Sequence, residues 1–130
     1  MKMRLLLSLL LLTLIGCSDA TDSEVSGGKF TVHFNNTKDH ELAKKIVEFW
    51  KEDSLLTGES QDVRLERTQK GYDLYLISER VEKKDDLTFE EIKSLTTLKQ
   101  QLQENVFEEK QLSLVIADEN FKPLFRPNLY

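Results

Sequence analysis

The residues that could carry chemistry are few and widely spaced in this chain of 130 residues. His33 and His40 are its two imidazoles, and neither belongs to a cluster with the ligand spacing of a zinc site. The sequence contains no Gly-x-Ser-x-Gly pattern that would mark an activated serine. Three pairs of adjacent acids lie beside predicted helix ends, where solvated charge explains them: Asp85-Asp86, Glu90-Glu91 and Glu108-Glu109. We therefore expect no enzyme, no metal and no cofactor.

A binding surface is the better candidate, on one face of a predicted β-sheet. Strand alternation assigns most large apolar side chains to a face covered by helices and leaves a second, open face. That open face combines apolar side chains with an imidazole, a guanidinium group and a carboxylate, which is the composition of a protein or peptide contact. An ordinary solvated sheet face with a few apolar residues shows the same pattern. The candidate binding residues are His33, Arg64, Glu66, Tyr75, Ile77 and Val115.

The N-terminus has the pattern of a signal peptide. Lys2 and Arg4 precede an apolar run from Leu5 to Ile15. At about 1.5 Å per residue, a helix of this length reaches roughly 16 Å, about half of the ~30 Å hydrocarbon core of a bilayer. The run is therefore too short to remain as a membrane-spanning anchor.

The apolar run ends at the only cysteine of the chain. Leu14-Ile15-Gly16-Cys17 resembles the lipobox of bacterial lipoproteins. This resemblance implies that residues 1–16 are removed as a signal peptide, that the Cys17 thiol carries a diacylglycerol, and that a fatty acid such as palmitate is added to the new amino group. Two or three chains give lasting attachment, since each buried methylene contributes about 0.8 kcal/mol. Ser18 at the following position resembles the signal that sorts lipoproteins to the outer membrane.

The mature chain is predicted to consist of a tether and one acidic domain. Residues 17–28 are predicted to be the lipidated cysteine and a flexible tether, because they are rich in Ser, Asp and Gly. Residues 29–130 form the single domain. Removal of residues 1–16 takes away Lys2 and Arg4 and changes the net charge from −5 to −7, which disfavours nucleic acid and anionic lipid as partners. We expect membrane contact through the lipid alone, and an envelope protein as partner.

The domain is predicted to be an α+β fold of the ferredoxin-like order β-α-β-β-α-β(-β), an antiparallel sheet with two helices on one face. The strongest local signal is Thr88-x-x-Glu91, a capping box that begins the second helix. Aromatic residues, namely Trp50 and the phenylalanines at 49, 89, 107, 121 and 125, are spaced as core residues. The predicted strands are 29–35, 63–67, 72–81, 112–117 and 121–125, and the predicted helices are 38–56 and 88–107. A turn is predicted at Asp118-Glu119-Asn120, between the last two strands.

The C-terminal tail leaves two alternatives open. Pro127 ends regular pairing, so the last residues either fold back over the edge of the sheet or remain available to another molecule. Anchor, tether and small size together predict a lipid-anchored envelope protein that acts as a non-enzymatic protein or peptide interaction module. The alternative is a small-ligand-binding domain or an enzyme with its site on the open sheet face.

Overall fold

The computed structural model describes residues 22–52, 60–78, 80 and 83–129. The predicted signal peptide, Cys17 and the beginning of the predicted tether lie outside the described residues, as do the last residues of the first predicted helix. In the described ranges, none of the helices is long and apolar enough to cross a membrane.

The described part of the chain contains six strands and two α-helices. A short 3-10 turn precedes each helix, Thr37–Asp39 before the first and Lys84–Asp86 before the second. A π-helical turn, Gln103–Phe107, extends the second helix at its end. The strands are β1 (Ser23–Gly27), β2 (Phe30–Phe34), β3 (Gln61–Arg67), β4 (Gly71–Ile77), β5 (Gln111–Ala117) and β6 (Pro123–Phe125), and the helices are α1 (His40–Glu52) and α2 (Phe89–Leu102).

The strands form one mixed sheet in the order of the chain, β1 to β6. The predicted antiparallel, ferredoxin-like sheet is therefore wrong. In that fold each helix connects two strands that are separated by a third, whereas here α1 joins β2 to its immediate neighbour β3, and α2 joins β4 to its neighbour β5. A helical crossover returns the chain in the same direction, so both of these pairs are parallel. The pairs β1–β2, β3–β4 and β5–β6 are antiparallel.

The first strand corrects the prediction of a flexible tether up to residue 28. Residues Ser23–Gly27 pair with β2 along the whole length of both strands. Gly27 and Gly28, which are predicted to be part of the tether, belong to a tight hairpin, in which Gly28 has a φ of 63°. Glycine adopts this left-handed conformation without strain, and a two-residue hairpin turn requires it. The ordered domain thus begins earlier than residue 29.

One face of the sheet and both helices enclose the main hydrophobic core. From the helices, this core contains six residues of α1 together with Leu102, Val106 and Phe107 from the end of α2 and its π-helical turn. Trp50 stacks on Phe30 with ring centroids 4.5 Å apart and donates a hydrogen bond from Nε1 to Gln61 Oε1. The predicted packing of the helices against the alternating apolar strand residues is confirmed in this core.

A buried ionic cluster fixes the start of α1 to the β3–β4 hairpin. Asp39 is 1% exposed and accepts hydrogen bonds from Arg67 Nη2 at 2.7 Å and from the Tyr72 hydroxyl at 2.8 Å. Burial raises the pKa of Tyr72, and the hydrogen bond to Asp39 raises it further. The carboxylate is thus fully satisfied inside the fold.

The second helix begins as predicted. Thr88 accepts a hydrogen bond from the backbone of Glu91, and the Glu91 side chain accepts one from the backbone of Thr88, so the capping box is confirmed. Phe89 is 78% exposed, and the prediction that it packs in the core is wrong. As the first helical residue it projects outward, because the apolar stripe of α2 lies on its other side.

Candidate binding face

The face of the sheet that the helices do not cover carries most of the candidate binding residues in a single row. The strand registers align one residue from each of the first five strands: Glu24, His33, Arg64, Tyr75 and Val115. All of these except Glu24 are residues that strand alternation predicts on the open face, and they come from four separate segments of the sequence. We call this surface the open face. It consists of this row and of the other strand residues whose side chains point away from the main core.

His33 lies between two carboxylates on the open face. Its Nε2 is 3.3 Å from Asp62 Oδ1, and its Nδ1 is 3.7 Å from Glu24 Oε2. Both acidic side chains are about half exposed or more, whereas the imidazole is about one quarter exposed. The contact of Nε2 with Asp62 is within hydrogen-bond distance, whereas the distance from Nδ1 to Glu24 is too long for a hydrogen bond. Asp62 therefore positions the imidazole on the face.

Arg64 is held next to the histidine by two further acids. Its Nε donates to Glu66 Oε1 at 3.0 Å, and its Nη2 donates to Asp22 Oδ1 at 3.2 Å. Burial acts to lower the pKa of Arg64, but the hydrogen bond to Glu66 and the charge of Asp22 outweigh it, so that the pKa is raised. The guanidinium group is therefore a fixed part of the face and already has its counter-charges.

The tail also contributes to the open face. Arg126 donates two hydrogen bonds to Asp73, at 2.9 Å from Nη1 to Oδ1 and at 2.8 Å from Nη2 to Oδ2. This bidentate contact joins two residues that are 53 positions apart in the sequence and holds the tail against the sheet. Of the two alternatives for the C-terminal segment, the structure shows the first for the described residues, because the chain folds back after β6 and Leu129 packs against the main core, while Tyr130 lies outside the described residues.

Phe121 covers the centre of the open face. Its ring packs against a small second hydrophobic cluster of Tyr75, Val115 and Ala117, and its centroid lies 5.5 Å from that of His33. As a result Tyr75 is 8% exposed and Val115 is 0% exposed. The expectation of an exposed apolar patch at these two residues is therefore wrong, whereas Ile77 remains half-buried at its rim. Phe121 itself is predicted to be a core residue, and this prediction is wrong because its ring lies on the opposite side of the sheet.

A tight turn after β5 holds Phe121 in this position. Asp118 Oδ1 accepts hydrogen bonds from the backbone of Asn120 and of Lys122, both at 2.9 Å, as the turn predicted at these residues requires. Phe121 has a φ of 61°, a conformation that costs a non-glycine residue free energy and persists only where surrounding contacts enforce it. The aromatic cap is thus a positioned feature of the face.

The acids around His33 do not form a metal site. Glu24 and Asp62 contact opposite nitrogens of the imidazole, so no single ion can reach all three groups. Across the described residues, no group of three or more His, Cys, Asp or Glu side chains is arranged to hold a metal ion.

The open face is acidic. Its strands carry the carboxylates of Glu24, Asp62, Glu66 and Asp73, and Asp22 lies directly before β1, against the guanidinium groups of Arg64 and, from the tail, Arg126. Burial raises the pKa of Tyr75, and the negative charge of Glu66 adds to this effect, so the phenol stays neutral. A surface with this charge attracts cationic groups, and the partly buried ring of Phe121 offers them an aromatic surface to pack on.

Comparison with known proteins places the domain in a family. A family model described as a family N-terminal domain, AF_1994_N, matches residues 24–128. The chain belongs to this family. The AF_1994_N match begins within β1, in agreement with the assignment of this strand to the folded domain. No curated protein and no solved structure matches the chain.

Sequence reasoning missed several residues that build this face, among them Phe121, Arg126 and Glu24. Phe121 and Arg126 reach it through tertiary folding, and neither has a local signal that distinguishes it from a core or solvent residue. Glu24 had a signal: the alternation of Ser23 to Ser26 runs into a Gly-Gly pair that is followed by a strong strand, which is the pattern of a hairpin.

Proposed function

We propose that this domain is a protein-interaction module that a lipid on Cys17 holds at a bacterial membrane, and that its open face binds a basic segment of another envelope protein. The observation that carries the proposal is the excess of carboxylates around the Phe121 cap. Complementary charge increases the rate and the specificity of association, and an aromatic residue at the centre of a polar surface is typical of protein contacts.

The arrangement of the face supports binding without a chemical step. Arg64 and Arg126 are already paired with carboxylates, and Tyr75 is buried and neutral. The acids at the border, in contrast, are open to solvent: the side chains of Glu24 and Asp62 are 63% and 48% exposed. A carboxylate offers several acceptor positions, so lysine or arginine side chains of a partner can reach these two acids while they keep their contacts with His33.

The position of Ile77 allows the proposal to be tested in living cells. A photo-crosslinking amino acid in place of Ile77, at the rim of the open face, should give a crosslinked product with a second protein. The crosslinked peptide of that protein, identified by mass spectrometry, should contain several Lys or Arg residues within a few positions. The same amino acid in place of Lys45, an exposed residue of α1, serves as the control and should give much less product.

Three outcomes would contradict the proposal. These are equal crosslinking from the two positions, no product from Ile77 above the control, or a product that consists only of two copies of this chain. A product with a peptide that lacks basic residues would contradict the charge argument in particular.

The proposed anchor has an independent test. Mass spectrometry of the N-terminal peptide from the native protein should find residue 17 as the first residue, with a diacylglyceryl group on its sulfur. A Cys17→Ser variant should lose the modification and leave the membrane fraction. For the outer-membrane location, separation of the two membranes should place the wild-type chain in the denser one. An unmodified thiol, or an uncleaved leader, would refute the anchor.

A further inference from the structure

The two edges of the sheet differ in a way that bears on assembly. An edge strand presents unpaired backbone N–H and C=O groups, to which another strand can add. At one edge β6 has three residues and begins at Pro123, which lacks an N–H group. At the other edge β1 has five residues without proline, and most of its side chains are exposed. An added strand therefore fits at β1 and not at β6.

The sequence of β1 is complementary to itself. In an antiparallel pair of two β1 strands centred on Val25, each Glu24 lies opposite Ser26 of the second copy, and each Ser23 lies opposite Gly27 of the second copy. A serine hydroxyl is a good donor to a carboxylate, and opposed residues in a sheet point to the same side. We propose that β1 pairs with β1 of a second copy of this chain in this register, which joins the two sheets.

The residues of β1 on the side that faces the helices also fit this register. Val25 packs at the border of the main core, so that two Val25 side chains meet across the two-fold axis and extend the covered face. At Gly27 a Cβ atom would lie 2.4 Å from Val47 Cγ1, because α1 lies close above the end of the strand. Only a small residue fits beneath the helix there, and the residue opposite to it in the second copy is Ser23, which is small as well.

Competing registers are weaker. A pair centred on Glu24 sets two carboxylates directly opposite each other, which destabilises a sheet. A pair centred on Ser26 places Val25 opposite Gly27 and loses the contact between the two valines. The register centred on Val25 combines hydrogen-bonding side chains on one side of the sheet with an apolar contact on the other.

The pairing of β1 with β1 does not depend on the proposed function, but it affects how a partner would bind to the open faces. Since opposed residues point to the same side, both open faces would lie on one side of the joined sheet. A partner with two basic segments could then occupy both faces at once, which raises the apparent affinity by one or more orders of magnitude.

A cysteine on the two-fold axis tests the pairing in the full-length chain. Opposed Cβ atoms in a sheet are about 4.5–5.5 Å apart, close enough for a disulfide after a small adjustment. A Val25→Cys chain, oxidised in membranes, should run at twice the monomer mass on a non-reducing gel. A Leu124→Cys chain, with its cysteine at the β6 edge, and the wild-type chain, which contains Cys17, are the controls and should remain monomeric.

A charge swap tests the register. Adding Ser26→Glu to Val25→Cys places two carboxylates opposite each other and should reduce the dimer at least fivefold. Adding Glu24→Ser as well restores an acid opposite a hydroxyl and should recover most of the dimer. Circular dichroism of each variant verifies that the sheet remains folded.

Three results would overturn the inference. The first is a Val25→Cys chain that forms no more disulfide-linked dimer than the Leu124→Cys control. The second is a chain with Ser26→Glu added to Val25→Cys that crosslinks as well as the Val25→Cys chain. The third comes from analytical ultracentrifugation of the unaltered protein in detergent, where a monomer at all concentrations up to about 100 μM would refute the pairing. None of these readouts involves the envelope partner, so failure here leaves the proposed function standing.

Discussion

The two faces of the sheet are held together by different forces. On the covered face, apolar side chains pack between the strands and two helices, and residues such as Phe30, Leu65 and Phe107 have no exposed surface. On the open face, charged side chains pair across neighbouring strands around a single aromatic cap. Burial of apolar surface contributes most of the stability of a domain, whereas an exposed ion pair contributes about 1 kcal/mol or less. The covered face therefore determines the fold, and the open face is free to carry charge for recognition.

The largest effect is expected on the covered face. A Phe107→Ala substitution removes a ring that is fully buried and packs against Tyr72 at a centroid distance of 5.7 Å. We expect a loss of about 4 kcal/mol in the free energy of unfolding, measured by urea denaturation. Phe89→Ala changes the same residue type at an exposed position and should alter stability by less than about 0.5 kcal/mol. Similar losses in both variants would mean that the core has been assigned to the wrong side chains.

An intermediate effect is expected at the aromatic cap. Phe121→Ala removes a ring that is only half-buried and covers three residues, so the free energy of unfolding should fall by about 1–2 kcal/mol. The strain at this position is not relieved, because alanine also disfavours a positive φ. Amide hydrogen exchange near Tyr75 and Val115 should become faster in the same variant. A loss as large as that of Phe107→Ala would show that the open face has a structural core of its own.

The smallest effect is expected at an exposed ion pair and depends on pH. The pKa of Glu91 is lowered to about 2, first because Arg80 donates hydrogen bonds to its carboxylate and then because the backbone of Thr88 does. A lowered pKa in the folded state means that the stabilisation is complete above the ordinary pKa near 4.5 and is lost as the pH falls toward 2. Glu91→Gln should therefore lower the urea midpoint slightly at pH 6, and its difference from the wild-type chain should shrink by pH 3.

The neighbouring residue supplies the control for this pH effect. Glu90→Gln makes the same charge change in the same turn of α2, but Glu90 is not the capping-box residue. Its midpoint should differ less from that of the wild-type chain at pH 6. If the difference in urea midpoint between Glu91→Gln and the wild-type chain stays constant between pH 6 and pH 3, the ion pair between Arg80 and Glu91 is contradicted.

Local patterns predicted the elements of this fold well. The alternation in Phe30–Phe34, the capping box at Thr88 and the turn at Asp118 depend on interactions within a few residues, and each is confirmed. The assignment of strand residues to the covered face and the open face followed from the same alternation, because successive side chains of a strand point to opposite sides.

The order of the strands was not predictable in this way. The same succession of strands and helices suits an antiparallel sheet with interleaved strands and a mixed sheet with neighbouring ones, since either buries the same apolar faces. β1 was missed because Ser, Gly and acidic residues are typical of linkers as well as of hairpin edges. The cap at Phe121 and the Arg126–Asp73 pair depend on contacts between distant segments, for which a single sequence holds no local signal.

The most direct test of the proposed role of the open face is a charge reversal on each side of the sheet, with crosslinking from the same Ile77 position as the readout. Asp62→Lys reverses an exposed acid of the open face, and Glu48→Lys makes the same change on the exposed side of α1. Cells that express the first variant should lose at least nine-tenths of the crosslinked partner, and cells that express the second should retain it. Equal retention in both variants, or equal loss, would contradict the account.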